Sequence, residues 1–231
     1  MPFYYYFDPT MLIVLPALIL AFWAQIKVKS AYHAGQKVQT SYYMTGYEAA
    51  RRILDQNGLR DIPIEMIGGE MTDHYDPRAN VIRLSADVYR SNTASAVGIA
   101  AHEAGHAVQY AKNYAPIHMR AAIIPACQIG SYLAMPLFII GLFLVFEPLM
   151  WIGIIAYSLT ALFQLITLPV EFDASRRAMT ILSDSGQFTD EQLRASRKVL
   201  SAAAMTYVAA LASALLSVLR LVVIAGGRRR D

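Results

Sequence analysis

The residues best placed to do chemistry in this chain are His102, Glu103 and His106, in the run His102-Glu103-Ala104-Gly105-His106. On a helix, side chains four positions apart stand one above the other on one face, so both imidazoles can reach a single cation. Imidazole nitrogen is a common ligand of zinc. Glu103, beside the first histidine, projects toward the open side of such a metal. There a carboxylate can take a proton from a metal-bound water and later hand it to a leaving amine. This is the HExxH pattern of helical metalloprotease sites. A purely structural reading must explain why two of the five histidines and a carboxylate sit among Ile99, Ala100, Ala101, Ala107 and Val108. Burying them there without a partner is costly.

A catalytic zinc takes three protein ligands and leaves the fourth position to water. The residues offer four candidates for the third ligand: Glu171, Asp173, His74 and His118. Glu171 follows a long charge-free run, where a carboxylate can face a site at a membrane surface or pair with Arg176 or Arg177 as an interfacial charge. His74 lies in a polar turn, where it can stabilise an oxyanion, steady the site or be merely solvated. His118, just before Arg120, reads as interfacial. Tyr75 and Tyr110 are further oxyanion candidates among fourteen tyrosines.

These residues need elements to hold them. After the capping residues Ser91, Asn92 and Thr93, an Ala-rich helix is expected from 94 to about 112. A helix is expected over 31–59, with Asn57-Gly58 as its stop. A strand over 62–67 carries Pro63 at its start or on an edge. A turn over 76–80 leads into a second strand, Val81, Ile82, Arg83, Leu84 and Ser85. That strand is a candidate edge for holding an extended peptide by β-augmentation, or equally an ordinary paired strand. Residues 27–120 thus form a small α+β lobe.

The rest of the chain reads as membrane. Of 231 residues, 56% are hydrophobic and 16% charged, against about 45–50% and 25% in an ordinary soluble domain. Disorder is excluded on the same grounds. Cys127 is the one cysteine, which excludes a disulfide framework. A net charge of +3 without a basic stripe excludes nucleic acid as a partner. Residues 121–146 and 148–170 contain no charge, and each run exceeds the roughly 20 residues a spanning helix needs. Glu147-Pro148 between them is expected to form the turn of a transmembrane hairpin, while Pro125 and Pro136 are expected to kink its first helix.

A third span covers 11–26, flanked by the aromatic residues 3–7 and by Phe22-Trp23. Its leader holds Asp8 and no Lys or Arg, which argues for an uncleaved anchor over a signal peptide. A fourth span, 200–225, is rich in Ala and Ser, which suits close helix packing. Arg220 near its end is expected to snorkel to the interface. The chain therefore divides into an anchor (1–26), a lobe (27–120), a hairpin (121–170), a polar segment (171–199), a fourth helix (200–225) and a basic tail (226–231). Sixteen of the twenty Lys and Arg fall in 27–120 and 171–199. By charge asymmetry both segments face the cytoplasm.

Three ordered segments carry a family resemblance: HEAGH after Ala-Val-Gly-Ile-Ala-Ala, Asp-His-Tyr-Asp-Pro (73–77) leading into Val-Ile-Arg-Leu-Ser, and Leu-Pro-Val-Glu-Phe-Asp-Ala-Ser (168–175). Together they resemble the YugP-like family of bacterial membrane zinc metallopeptidases, over nearly the whole chain. More distantly the chain is similar to the HtpX and CAAX-prenyl membrane proteases. The resemblance implies one zinc per chain and a mainly α membrane protein with a zincin-like α+β lobe around the HExxH helix. In the wider group a glutamate in a Glu-Phe/Tyr-x-Ala-Asp motif is the third ligand, which falls here on Glu171. Where that motif ends in Asp this chain has Ser175, so Ser175, Asp173 or water takes over any steadying of a ligand histidine.

The resulting expectation is a membrane-anchored zinc endopeptidase acting on polypeptides, membrane proteins among them, at the cytoplasmic face of a bacterial cell membrane. The sequence sets no oligomeric state. A non-catalytic zinc-binding or scaffold protein is the alternative, and it needs His74 or His118 as a fourth ligand. A transporter expects ionisable groups within the spans, and 121–170 offers Glu147 alone.

Overall fold

The computed structural model describes residues 8–227, so the aromatic leader 3–7 and the arginines 228–230 lie outside the described residues. Seven helices and a small sheet follow in the order α1 (Met11–Gln36), α2 (Gly46–Gln56), β1 (Ile64–Ile67), β2 (His74–Asp76), β3 (Val81–Ser85), α3 (Ala86–Arg90), α4 (Ala94–Ala111), α5 (Ala115–Phe143), α6 (Glu147–Asp184) and α7 (Asp190–Gly227). The protein is mainly helical, with a small mixed sheet. Among the described residues α1, α5, α6 and α7 are long and apolar enough to cross a membrane.

The chain forms two compact units. Among the described residues, the first takes 8–24, 119–167 and 206–227. Its core is small, built on Phe138, Met150, Ile154, Leu221 and Ala225. Much of its apolar surface points outward, including Phe22 (70% exposed), Ile129 and Phe143 (81%), an arrangement suited to lipid. Glycines draw its hairpin together: a Cβ on Gly153 would lie 2.7 Å from the Ala134 carbonyl oxygen, and one on Gly130 2.9 Å from that of Ala156. The chain reverses one step earlier than Glu147-Pro148. Val145 takes a left-handed φ of 53°, and the Phe146 N–H reaches back to the Gly141 carbonyl at 2.8 Å, closing the helix in a Schellman-type turn. Glu147 and Pro148 already belong to the first turn of α6, where proline forfeits no helical hydrogen bond. Arg220 finds its partners within the chain. It donates to Asp8 (2.8 Å) and to Thr10 (3.1 Å), joining the start of the described chain to the last part of α7.

The second unit takes 25–118 and 168–205. Its sheet has the order β1-β3-β2, with β1 parallel and β2 antiparallel to β3. The strand Val81, Ile82, Arg83, Leu84, Ser85 is therefore central. Both of its edges are taken, so it cannot add a peptide strand. Its burial explains the position, since Val81, Ile82, Leu84 and Ser85 are all buried. The edges belong to β1 and to the short β2, which includes His74, expected in a polar turn.

The helix expected over 31–59 is two helices. Residues 38–40 spend their backbone groups elsewhere: the Thr40 N–H donates to Asn92 and the Ala94 N–H to Val38, both at 2.8 Å. Helix α2 then starts on a capping box, in which the Thr45 hydroxyl accepts from the Glu48 N–H and the Glu48 carboxylate from the Thr45 N–H. Around α4 the core is close-packed, with Ala100, Ala101 and Ala104 fully buried against Ile53, Leu54, Ile82 and Leu84.

Candidate metal centre

Helix α4 carries His102, Glu103 and His106 into the second unit, and α6 brings Glu171 to them. What sets the two helices close is Gly105. A Cβ there would lie 2.9 Å from the Ala174 carbonyl oxygen and 3.4 Å from Ala174 Cα, so no larger residue fits this crossing without displacement. With the backbones this near, Glu171 Oε2 stands 3.3 Å from His102 Nε2 and 3.6 Å from His106 Nε2. The three donor atoms lie within 4.8 Å of one another, and among the described residues no other such group of His, Cys, Asp or Glu occurs. Donors bound at about 2.0–2.2 Å around a tetrahedral zinc sit about 3.3–3.6 Å apart. Two imidazole nitrogens and one carboxylate oxygen at this spacing fit zinc in both chemistry and size.

The far sides of the histidine rings are also held. His106 Nδ1 faces Gln109 Oε1 at 3.0 Å, and His102 Nδ1 faces the Ser175 hydroxyl at 3.1 Å. Ser175 thus stands where the resemblance placed an Asp. Asp173 is not in the donor group. It is buried (6% exposed) and accepts from Gln109 (2.9 Å), Arg177 (2.5 Å) and Arg176 (2.9 Å). Gln109 escaped the sequence reading. The available signal was a lone glutamine three residues after His106 on an Ala/Val helix, and its complete burial appears only in the fold.

Glu103 is buried (9% exposed), and its Oε2 accepts the Tyr75 backbone N–H at 3.0 Å. Burial pushes its carboxyl above the ordinary carboxylate range, against the opposing pull of His102 and His106. Such a group holds a proton more readily than an exposed glutamate.

The remaining candidates lie outside the donor group. His74 is exposed, with its Nδ1 on the Thr72 carbonyl at 2.8 Å. His118 packs edge-on against Tyr110 at 5.3 Å, and Tyr110 in turn lies 5.6 Å from Tyr75. The Tyr75 hydroxyl is taken up by Asn80 at 2.6 Å.

Residues 10–226 match the family described as "Putative neutral zinc metallopeptidase". The chain belongs to that family. It is also 47% identical over 212 residues to "Putative membrane protease YugP" of Bacillus subtilis (strain 168), covering 92% of this chain and 94% of that protein. No solved structure matches. Membership in this zinc metallopeptidase family agrees with the resemblance read from the three sequence segments, and with a donor set that could hold a metal ion.

Proposed function

We propose that this protein is a membrane-anchored zinc endopeptidase, with a zincin-like lobe in which His102, His106 and Glu171 hold one zinc ion and Glu103 is the general base. The observation that carries the reading is the convergence of two histidine Nε2 atoms and a buried carboxylate, with Glu103 adjacent on the same helix. When bound, zinc supplies Lewis-acid polarisation of the scissile carbonyl and lowers the pKa of water.

The chain's own groups do the rest. Glu103, steadied by the Tyr75 N–H, takes a proton from the attacking water and delivers it to the departing amine. Its position beside the donor group lets the carboxylate accept the proton and hold it until the amine leaves. Gln109 and Ser175 keep the two rings turned inward. With β3 central, the role of binding a substrate strand passes to β2 (His74–Asp76), an edge strand whose backbone touches Glu103.

Three donors favour an open catalytic site over a closed structural one, which wants four. The substrates proposed are polypeptides, membrane proteins among them, met at the cytoplasmic face. The support for that face is the placement of Lys and Arg. The test is metal content together with cleavage of casein or a peptide by the detergent-purified full chain. Zinc near one per chain with cleavage supports the reading, and a metal-free, inert protein removes it.

A further inference from the structure

Gln109 is fully buried and makes three hydrogen bonds. Two of them determine the third. The Val170 carbonyl at 2.8 Å and the Asp173 carboxylate at 2.9 Å can only accept, so the amide nitrogen with its two N–H groups must face them. The amide oxygen is thereby turned toward His106 Nδ1 at 3.0 Å. An amide oxygen only accepts, so Nδ1 must carry the proton. In the neutral ring that binds a metal, the lone pair is then left on Nε2, the nitrogen 3.6 Å from Glu171. Arg177 shares Asp173 Oδ2 with Gln109, and Arg176 holds Oδ1.

We propose that Gln109 is a positioning residue that fixes the Nδ1–H tautomer of His106 and so presents Nε2 to the metal. The inference rests on the zinc reading above and adds an asymmetry to it. His102 is faced by a hydroxyl at 3.1 Å, and a hydroxyl can donate or accept, so Ser175 leaves the tautomer of His102 open. His106 alone is set by the polypeptide. Val170 and Asp173 also bracket Glu171 on α6, so one buried amide fixes the tautomer of one ligand and the register of another.

Two substitutions in the full-length, detergent-solubilised protein separate these roles. Gln109→Leu keeps the approximate volume and removes the acceptor. Gln109→Glu keeps an acceptor for Nδ1–H and removes both donations to α6. Zinc affinity is measured by competition with a chromophoric chelator. Gln109→Leu is expected to weaken zinc binding by about 10–100-fold, as loss of an outer partner of a ligand histidine does. Gln109→Glu keeps the acceptor but sets a second carboxylate against Asp173 and leaves the Val170 carbonyl without its donor, so it is expected to lose some affinity, at least about threefold less than Gln109→Leu. Its lost contacts to Val170 and Asp173 show separately, as a lower unfolding temperature.

In zinc-loaded protein labelled with 15N-histidine, the hydrogen-bonded His106 Nδ1–H should persist in wild type and Gln109→Glu and disappear in Gln109→Leu. Wild-type affinity in Gln109→Leu overturns the proposal. Equal losses in the two variants also overturn it, because the amide is then a strut between α4 and α6 and nothing more. A wild-type protein that binds no zinc overturns the proposed function, and this inference with it.

Discussion

Alanine at position 105 should weaken the metal site more than it weakens the fold. In an ordinary helix interior Gly→Ala stabilises by about 0.8–1.0 kcal/mol. Here the added Cβ would lie 2.9 Å from the Ala174 carbonyl oxygen, and 3.4 Å from both the carbonyl carbon and Cα of that residue. To restore ordinary contact, α6 must retreat by about 0.5 Å, and a tight crossing of this kind resists with about 1–3 kcal/mol of overpacking. The two effects partly cancel in global stability, leaving a net loss of about 0–2 kcal/mol. They do not cancel at the metal. Glu171 rides on α6 three residues before Ala174, and ligand distances tolerate only about 0.2 Å. If binding zinc has to draw the helices back together, the strain appears in the affinity, as a loss of about 5–150-fold. The assay is chelator competition paired with thermal unfolding, with Gly68→Ala as control, because a Cβ there meets nothing within 4 Å. Zinc affinity in Gly105→Ala equal to that of the control would refute the reasoning.

Further expectations follow from other parts of the structure. Glu171→Ala and His102→Ala should each lose most of the zinc that the wild type holds, measured by metal analysis of purified protein, and full retention in Glu171→Ala would remove it from the ligand set. In a Cys127→Ser background, single cysteines at Pro9, Glu147 and Gly226 should react with an impermeant thiol reagent in intact cells, while one at Asn57 should not. The Asp8–Arg220 pair sets the start of α1 beside the last part of α7, so labelling at 9 and not at 226 would contradict the path of α7. Asp76 accepts from Arg83 (2.7 Å) and from the N–H groups of Arg78 and Ala79, which lowers its carboxyl from 3.8 to about 2. A depressed carboxyl stabilises the fold fully above its unfolded value and loses that contribution as pH falls through the folded one. Asp76→Asn should therefore flatten the dependence of stability on pH between about 4 and 2, and an unchanged acid slope would count against the assignment.

Much of the site was legible because its chemistry is local. Histidines four apart on a helix share a face whatever the tertiary fold, so His102, Glu103 and His106 could be grouped from spacing alone. Glu171 could not, being far along the chain on another helix, with Asp173, His74 and His118 equally open by residue type. Family resemblance singled it out, and the structure brings it to the histidines. Gln109 was missed because glutamine is ordinarily exposed and its importance depends on Val170 and Asp173 across the helix crossing.

In the fold, the spans showed through their length and lack of charge. The break at 37–45 did not, although Thr45-Gly46-Tyr47-Glu48 carries the signature of a capping box. Strand β2 has three residues, too few for a periodicity to appear. The sequence left Val81–Ser85 open between an edge and a paired strand for a related reason. Pairing partners are set by tertiary contacts, which also give this strand the nearly continuous burial of a central position.

The central claim is that Glu103 moves the proton at a zinc held by His102, His106 and Glu171. Glu103→Gln preserves size and the acceptor for the Tyr75 N–H but removes the carboxylate base. Measured side by side with wild type, the variant should keep its zinc and its unfolding temperature while cleavage of casein or peptide falls by about 10²–10⁴-fold. Undiminished cleavage by a zinc-loaded, folded Glu103→Gln protein would contradict the account.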